Sequence, residues 1–157
     1  MLFNYFLMII SFILLTLNGA QGYLQFKIYN AGHIQFAFIA AIFYMFSESW
    51  IMFYFIGSGK TIKETILHFN LDKSIYQEVI DSKKKIFPHI TLNILLIGTV
   101  FVIGGGVHTK VIAVGTHNIL YLLSMFHFLY LIKLQHYAFK DTTSILSKLG
   151  KLIDRDN

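Results

Sequence analysis

Long apolar runs separated by short polar segments make up most of this 157-residue chain. A helix needs about 20 predominantly apolar residues to cross the roughly 30 Å hydrocarbon core of a bilayer. The pattern predicts four such helices, of which the first is the shortest: residues 2–18, 33–57, 86–106 and 116–139. We therefore expect an all-α fold, an integral membrane four-helix bundle that forms a single membrane domain over residues 1–157.

Two polar stretches lie outside these spans, a loop at 58–85 and a tail at 140–157. Within the loop, Thr61 and Glu64 have the spacing of a capping box, in which the two side chains satisfy backbone N–H groups at the start of a helix. Apolar residues then recur on one side of that segment. The loop is predicted to contain a short amphipathic helix at the cytoplasmic surface.

The distribution of basic residues predicts the orientation of the helices. Ten basic residues lie in the 58–85 loop and in the tail: Lys60, Lys63, Lys73, Lys83, Lys84, Lys85, Lys140, Lys148, Lys151 and Arg155. The two connections at the opposite end hold only Lys27 and Lys110. Because basic residues concentrate on the cytoplasmic side of membrane proteins, both termini are predicted to be cytoplasmic in a multi-pass protein of the cell (inner) membrane.

Composition and charge narrow the class of function. Only 13% of the residues are charged, against about 25% in soluble domains, and the mean hydropathy is +0.61. The formal net charge is +5, but the lysines gather between apolar runs and form no basic stripe, so nucleic acid is not expected as a partner. The chain has no cysteine, which excludes disulfides and thiolate chemistry.

Three of the seven histidines fall at the outer ends of predicted spans: His33, His108 and His117. Imidazoles that reach one level from different helices could ligate copper or zinc. His33 and His117 also match in level as a bis-imidazole pair for haem b. The alternative is that these histidines are interfacial, because an imidazole ring is half apolar and its nitrogens can reach water.

Glu48 is the one carboxylate inside a predicted span, where an isolated charge is costly. It follows His33 by 15 residues and Lys133 follows His117 by 16, which places both at nearly the same depth, about 22–24 Å along their helices. This predicts an intramembrane ion pair between Glu48 and Lys133, with a proton- or ion-handling carboxylate as the alternative. His127 lies mid-membrane near the level of Tyr44, and we expect it to be hydrogen-bonded to a tyrosine or a backbone carbonyl.

The segment MFYFIGSGKTIKE at 52–64 resembles a segment of a family of small, uncharacterised bacterial multi-span membrane proteins. Phe87-Pro88 and the stretch GGGVHT at 104–109 are similar to the same family. The resemblance covers roughly residues 33–137. It implies the membrane helices and no particular chemistry.

These patterns favour an accessory or structural subunit of a larger membrane complex, respiratory or redox in kind, with no catalytic activity of its own. The expected partners are the lipid bilayer and other membrane protein subunits. The first alternative is a haem- or copper-binding membrane redox protein that uses the outer histidines. The second is a small transporter that works through Glu48, although no inverted repeat is visible in the sequence.

Overall fold

The computed structural model describes residues 1–156, and the surroundings of side chains as far as residue 154. Arg155 and Asn157, which enter the predicted charge count and tail, lie outside the residues whose side chains are described. The described chain forms four α-helices: α1 (Leu2–Leu24), α2 (His33–His68), α3 (Ser74–His108) and α4 (Val114–Asp156). The prediction of an all-α four-helix bundle is confirmed.

All four helices are long and apolar enough to span a membrane. The 36 residues of α2 and the 43 of α4 correspond to about 54 and 64 Å of helix, well beyond the roughly 30 Å of hydrocarbon. We call the end that carries His33 and His117 the histidine end, and the opposite end, where residues 69–73 connect α2 to α3, the lysine end. The excess helix length lies at the lysine end.

The main core fills the part of the bundle that spans the membrane. Tyr44, Ile90, Phe128 and Leu131 are fully buried there. Large apolar side chains such as Phe53 remain exposed along the outside of the helices. An exposed apolar surface of this extent is typical of a protein that contacts lipid.

A second, smaller core lies at the lysine end. It consists of buried residues from the extensions of α2, α3 and α4: Ile62, Ile66, Ile75, Val79, Ile145 and Leu149. The predicted loop at 58–85 and the predicted tail are therefore mostly helical. The three extensions bury apolar faces against one another, which is the main source of stability for helices outside a membrane.

The prediction of a separate amphipathic helix, which was based on Thr61 and Glu64, is wrong. Helix α2 continues through both residues without a break, and Glu64 Oε1 instead lies 3.8 Å from Lys60 Nζ on the same helix. Within this continuous helix, Gly59 packs closely against α3: a β-carbon there would lie 3.1 Å from Val79 Cγ1 and would overlap the Lys83 side chain. The helix thus continues beyond residue 57, the predicted end of the second span, through a site of close helix approach.

Pro88, predicted at the start of the third span, lies inside α3. The helix instead begins at Ser74, whose backbone N–H donates a 2.9 Å hydrogen bond to the Asp72 carboxylate. This contact and the Ser74 hydroxyl lower the pKa of Asp72. A carboxylate that accepts from the first helical N–H groups stabilises the helix start.

Consecutive helices are neighbours in the bundle, so α1 packs on α2, α2 on α3 and α3 on α4. Helices α2 and α4 face each other across the interior, where their backbones stay apart and their side chains meet, as in the stacking of Phe55 on Phe139. Between α1 and α4 a hydrogen bond joins Tyr121 Oη to the Leu15 carbonyl at 3.1 Å. This arrangement leaves space between α2 and α4 at the histidine end, and an open seam between α1 and α4.

Candidate functional site

His33 and His117 meet at the histidine end of the bundle. The centroids of their rings are 6.5 Å apart and the ring planes are nearly perpendicular, at 88°. His33 is the first residue of α2 and His117 lies in the first turn of α4, so the two rings extend toward each other from facing helices. The structure thus brings together two of the three outer histidines that the sequence singled out.

A cavity of about 420 Å³ surrounds the two rings and is lined by all four helices. A second cavity of about 190 Å³ adjoins it deeper in the bundle. The two share six lining residues: Asn18, His33, Ile34, Gly104, His117 and Tyr121. Together they have the dimensions of a small-molecule or cofactor site in the core of a helix bundle.

Glycines on the other two helices make room for the two rings. A β-carbon at Gly22 of α1 would lie 3.0 Å from His33 Cε1, and one at Gly104 of α3 would lie 3.2 Å from His117 Nε2. Both distances are shorter than ordinary van der Waals contact. Each imidazole therefore packs directly on the backbone of a neighbouring helix, which a larger residue would prevent.

Two polar atoms at this site have no hydrogen-bond partner among the described residues: Asn18 Oδ1 and His33 Nδ1. Asn18 is only 9% exposed. A buried polar atom without a partner costs about 1–3 kcal/mol, so such atoms are usually satisfied by water or a ligand. Both residues line the two cavities, which makes the pocket a polar site with unused bonding capacity.

His108 does not complete a three-imidazole site. It is exposed and lies at the rim of the larger cavity. Within the described part of the chain, no group of three or more His, Asp or Glu side chains is placed to hold a metal ion. The third outer histidine therefore lines the same cavity as His33 and His117 but does not join them in a group of three possible metal ligands.

A row of hydrogen-bonded polar side chains crosses the bundle below this pocket. The Tyr44 hydroxyl donates to Asn93 Oδ1. Asn93 Nδ2 lies 2.9 Å from His127 Nδ1 and 3.1 Å from the Ser124 carbonyl, and His127 Nε2 lies 3.3 Å from His89 Nδ1. Asn93 thus links Tyr44 to His127, the two residues that the sequence placed at one level.

Glu48 is fully buried one turn below Tyr44. Its Oε2 accepts a hydrogen bond from Gln135 Nε2. Its Oε1 and Gln135 Oε1 have no partner among the described side chains. This pair connects the same two facing helices, α2 and α4, as the two outer histidines.

The predicted ion pair between Glu48 and Lys133 is wrong. Lys133 is exposed, and the ion pairs formed by residues 1–154 join Lys60 to Glu64 and Lys148 to Glu78. Residues 133 and 135 of a helix point about 200° apart. Because Gln135 faces the interior, Lys133 must face outward, although both lie at the depth of Glu48.

Five amide side chains are buried: Asn4, Asn18, Gln21, Asn93 and Gln135. Three of them, Asn18, Asn93 and Gln135, belong to the site described above and were missed in the sequence. Each lies in or just beyond an apolar run, where a polar side chain is rare and normally has a structural or functional role. That signal was available, because a search for uncharged polar residues within the spans finds all three. His89, which follows the lysines at 83–85, is partly buried against His127.

Compared with models of protein families, with curated proteins and with solved structures, the chain matches none of them. The function is therefore inferred from the chemistry of the site itself.

Proposed function

We propose that this protein is a membrane-embedded subunit of a redox complex, and that it binds haem b between His33 and His117. The observation that carries the proposal is the pair of imidazoles from α2 and α4, whose centroids are 6.5 Å apart across a cavity lined by all four helices. Metal–imidazole bonds of about 2.0–2.1 Å place the centroids of two opposite axial ligands roughly 6 Å apart. The observed separation fits that requirement.

The number of ligands favours a porphyrin over a bare metal ion. A copper or zinc site needs three or four protein ligands. A haem iron receives its equatorial ligands from the porphyrin and needs at most two from the protein. Among the described residues, no third ligating side chain joins the two imidazoles. Two imidazoles are too few for copper or zinc but are sufficient for haem.

The surroundings of the two rings suit a flat, largely apolar cofactor. The deeper cavity is lined by apolar residues including Leu15, Ile97 and Val100, while Asn18 and Tyr121 provide polar atoms near the histidine end. The absence of a side chain at Gly22 and at Gly104 allows each imidazole to pack on the backbone of a neighbouring helix. A cofactor bound here is excluded from water on its inner side, which affects its reduction potential.

The subunit role rests on the surface of the bundle and on its short connections. Aromatic side chains such as Phe38, Phe53 and Phe126 are exposed along the spans, where they can pack against lipid or neighbouring membrane subunits. The connections between helices are only a few residues long and hold no separate catalytic domain. The excess of lysine at one end supports an orientation with both termini in the cytoplasm of a cell with an inner membrane.

The test is the absorption spectrum of the protein purified in mild detergent from cells supplied with a haem precursor. We expect a Soret band with α and β bands on reduction, and their loss in His33→Ala and in His117→Ala. His108→Ala and His68→Ala serve as matched controls and should keep the spectrum. A colourless wild-type protein, even after incubation with hemin, would refute the proposal, and so would a haem spectrum that is lost in His108→Ala but kept in His33→Ala or His117→Ala.

A second candidate function is proton transfer through the bundle, and the observation that favours it is the buried pair Glu48–Gln135 below the Tyr44–Asn93–His127 row. An intramembrane carboxyl group without a cationic partner is typical of proton pathways. Proteoliposomes loaded with a pH-sensitive dye should then acidify faster than empty ones under an imposed gradient. Glu48→Gln should abolish the difference, and equal rates with and without wild-type protein would exclude this function.

A further inference from the structure

Helices α1 and α4 do not close against each other along their length. A groove of about 460 Å³ lies between them within the span, and it continues into a wider one of about 820 Å³ toward the lysine end. Tyr5 and His136 line both parts. A hydrogen bond joins the Tyr5 hydroxyl and His136 Nδ1, which lie 2.9 Å apart. We call the two parts together the α1–α4 groove.

The chemistry of the groove changes along its length. The part within the span is lined mainly by apolar side chains: Met8, Ile9, Phe12, Leu129 and Ile132. The part at the lysine end is lined by basic and hydroxyl side chains, among them Lys140, Lys148 and Lys151 with Ser144 and Ser147. The α1–α4 groove thus has an apolar part followed by a basic part with hydrogen-bonding groups. This arrangement matches a molecule with a hydrocarbon chain and an anionic head.

The basic residues form one face of α4. Lys133, His136 and Lys140 follow one another at spacings of three and four residues, which places them on the same side of the helix. All three line the α1–α4 groove. The positive charges of Lys133 and Lys140 therefore lie along one path from the span to the lysine end.

Little negative charge offsets these residues. No described side chain that lines the groove is a carboxylate. Lys148 lies 3.3 Å from Glu78 at the edge of the groove, but Lys133 and Lys140 take part in no ion pair among residues 1–154. An uncompensated lysine within a span needs an anionic partner or water.

The depth of Lys133 suits the phosphate level of a lipid. With His117 at one boundary of the hydrocarbon, Lys133 lies about 24 Å along α4, close to the opposite boundary of a layer roughly 30 Å thick. A lysine side chain can extend its ammonium group over the remaining distance. Lys140 lies two turns further and faces the headgroup region.

We propose that the α1–α4 groove binds one anionic phospholipid, with an acyl chain along the apolar part and its phosphate beside Lys133 and Lys140. The lysine end faces the cytoplasmic leaflet in the predicted orientation, and anionic lipids are concentrated in that leaflet. Charge complementarity favours a lipid over a helix of a partner subunit, because a partner helix would bury these exposed lysines and would need a carboxylate to match them. The site is separate from the His33–His117 pocket.

The test is native mass spectrometry of the full chain extracted from bilayers of phosphatidylglycerol and phosphatidylcholine with identical acyl chains. We expect one retained phosphatidylglycerol per chain. Four lysines line the groove, and Lys148 is paired with Glu78. Neutralising the other three should reduce the preference roughly a hundredfold, at about fivefold for each lysine near the surface. That triple variant is Lys133→Gln, Lys140→Gln and Lys151→Gln.

A control variant removes the same charge elsewhere at the lysine end, through Lys60→Gln, Lys84→Gln and Lys85→Gln. It should keep the lipid. Ile9→Trp fills the apolar part without changing charge, because Ile9 is 58% exposed and lines the groove, and it should release the lipid as well. Equal retention of both lipids, an equal loss in both triple variants, or a dimer in place of the lipid adduct would overturn the proposal.

Discussion

Gln135 donates a hydrogen bond to the buried carboxyl group of Glu48, and no lysine approaches that carboxyl group. The pair lies between the facing helices α2 and α4. The partner of the buried carboxyl group is therefore an amide, and no adjacent cation among residues 1–154 neutralises it. The consequences can be tested by substitution.

Glu48→Gln should leave the stability of the bundle unchanged or raise it. A glutamine has the same shape, can accept the hydrogen bond from Gln135 and carries no charge that must be buried. Thermal unfolding in detergent should show a midpoint at or above that of the wild type. Lys133→Met should have little effect alone and should not alter the result for Glu48→Gln, because the two residues do not interact. A large loss in Glu48→Gln that Lys133→Met restores would re-establish the ion pair.

Gln135→Leu should be destabilising where Glu48→Gln is not. The leucine leaves both carboxyl oxygens of Glu48 without a partner in the interior, at a cost of about 3 kcal/mol. The double variant Glu48→Gln/Gln135→Leu should recover part of that loss, because the remaining amide is neutral. Unfolding in increasing amounts of dodecyl sulfate measures the free-energy differences, and additive effects would contradict a direct interaction.

Asn93→Leu should destabilise the bundle by about 3 kcal/mol or more. Asn93 is fully buried and contacts Tyr44, His127 and the Ser124 carbonyl, so its loss leaves several polar groups unpaired. Thr91→Leu is the matched control, because Thr91 lies half a turn away on the exposed side of α3. The difference between the two unfolding midpoints measures the contribution of the polar row, and equal midpoints would mean that the row adds no stability.

Gly104→Leu should close the His33–His117 pocket, whereas Gly115→Leu should not. A β-carbon at Gly104 would lie 3.2 Å from His117 Nε2, but nothing lies within 4 Å of one at Gly115. Both variants carry the same side chain at the histidine end, and Gly115 does not line either cavity. Haem retention measured by absorbance should be lost only in the first. Loss in both variants, or in neither, would place the binding site elsewhere.

Gly59→Leu should weaken the packing of α2 on α3 at the lysine end by about 1–3 kcal/mol. The added side chain would collide with Val79 and Lys83, while Gly57→Leu, two residues earlier, meets nothing within 4 Å. Gly57→Leu should be neutral or slightly stabilising, because glycine is about 0.8–1.0 kcal/mol less favourable than alanine in a helix and leucine ranks just below alanine. Limited proteolysis near residues 69–73 should accelerate only in Gly59→Leu, and the opposite order would contradict the continuous α2.

The sequence alone determined the class of fold. Runs such as 33–57 are too long and too apolar for a soluble helix, and a bilayer leaves a spanning segment few alternatives to a helix. The sequence also determined which histidines share a level, because helical rise is constant and depth follows from residue number. His33 and His117 could be paired in that way before any contact was known.

Only the tertiary structure decided which way the side chains point and which neighbours they meet. Depth placed both Lys133 and Gln135 beside Glu48, but the rotation of α4 in the bundle brings Gln135 inward and leaves Lys133 facing the seam with α1. In the same way, Gly59 lies just beyond the predicted end of the second span at 57. The structure makes it a contact with α3, because the extended helices pack on one another. Rise along a helix is a local property, whereas its rotation is set by the packing of all four helices, and no single run of residues contains that information.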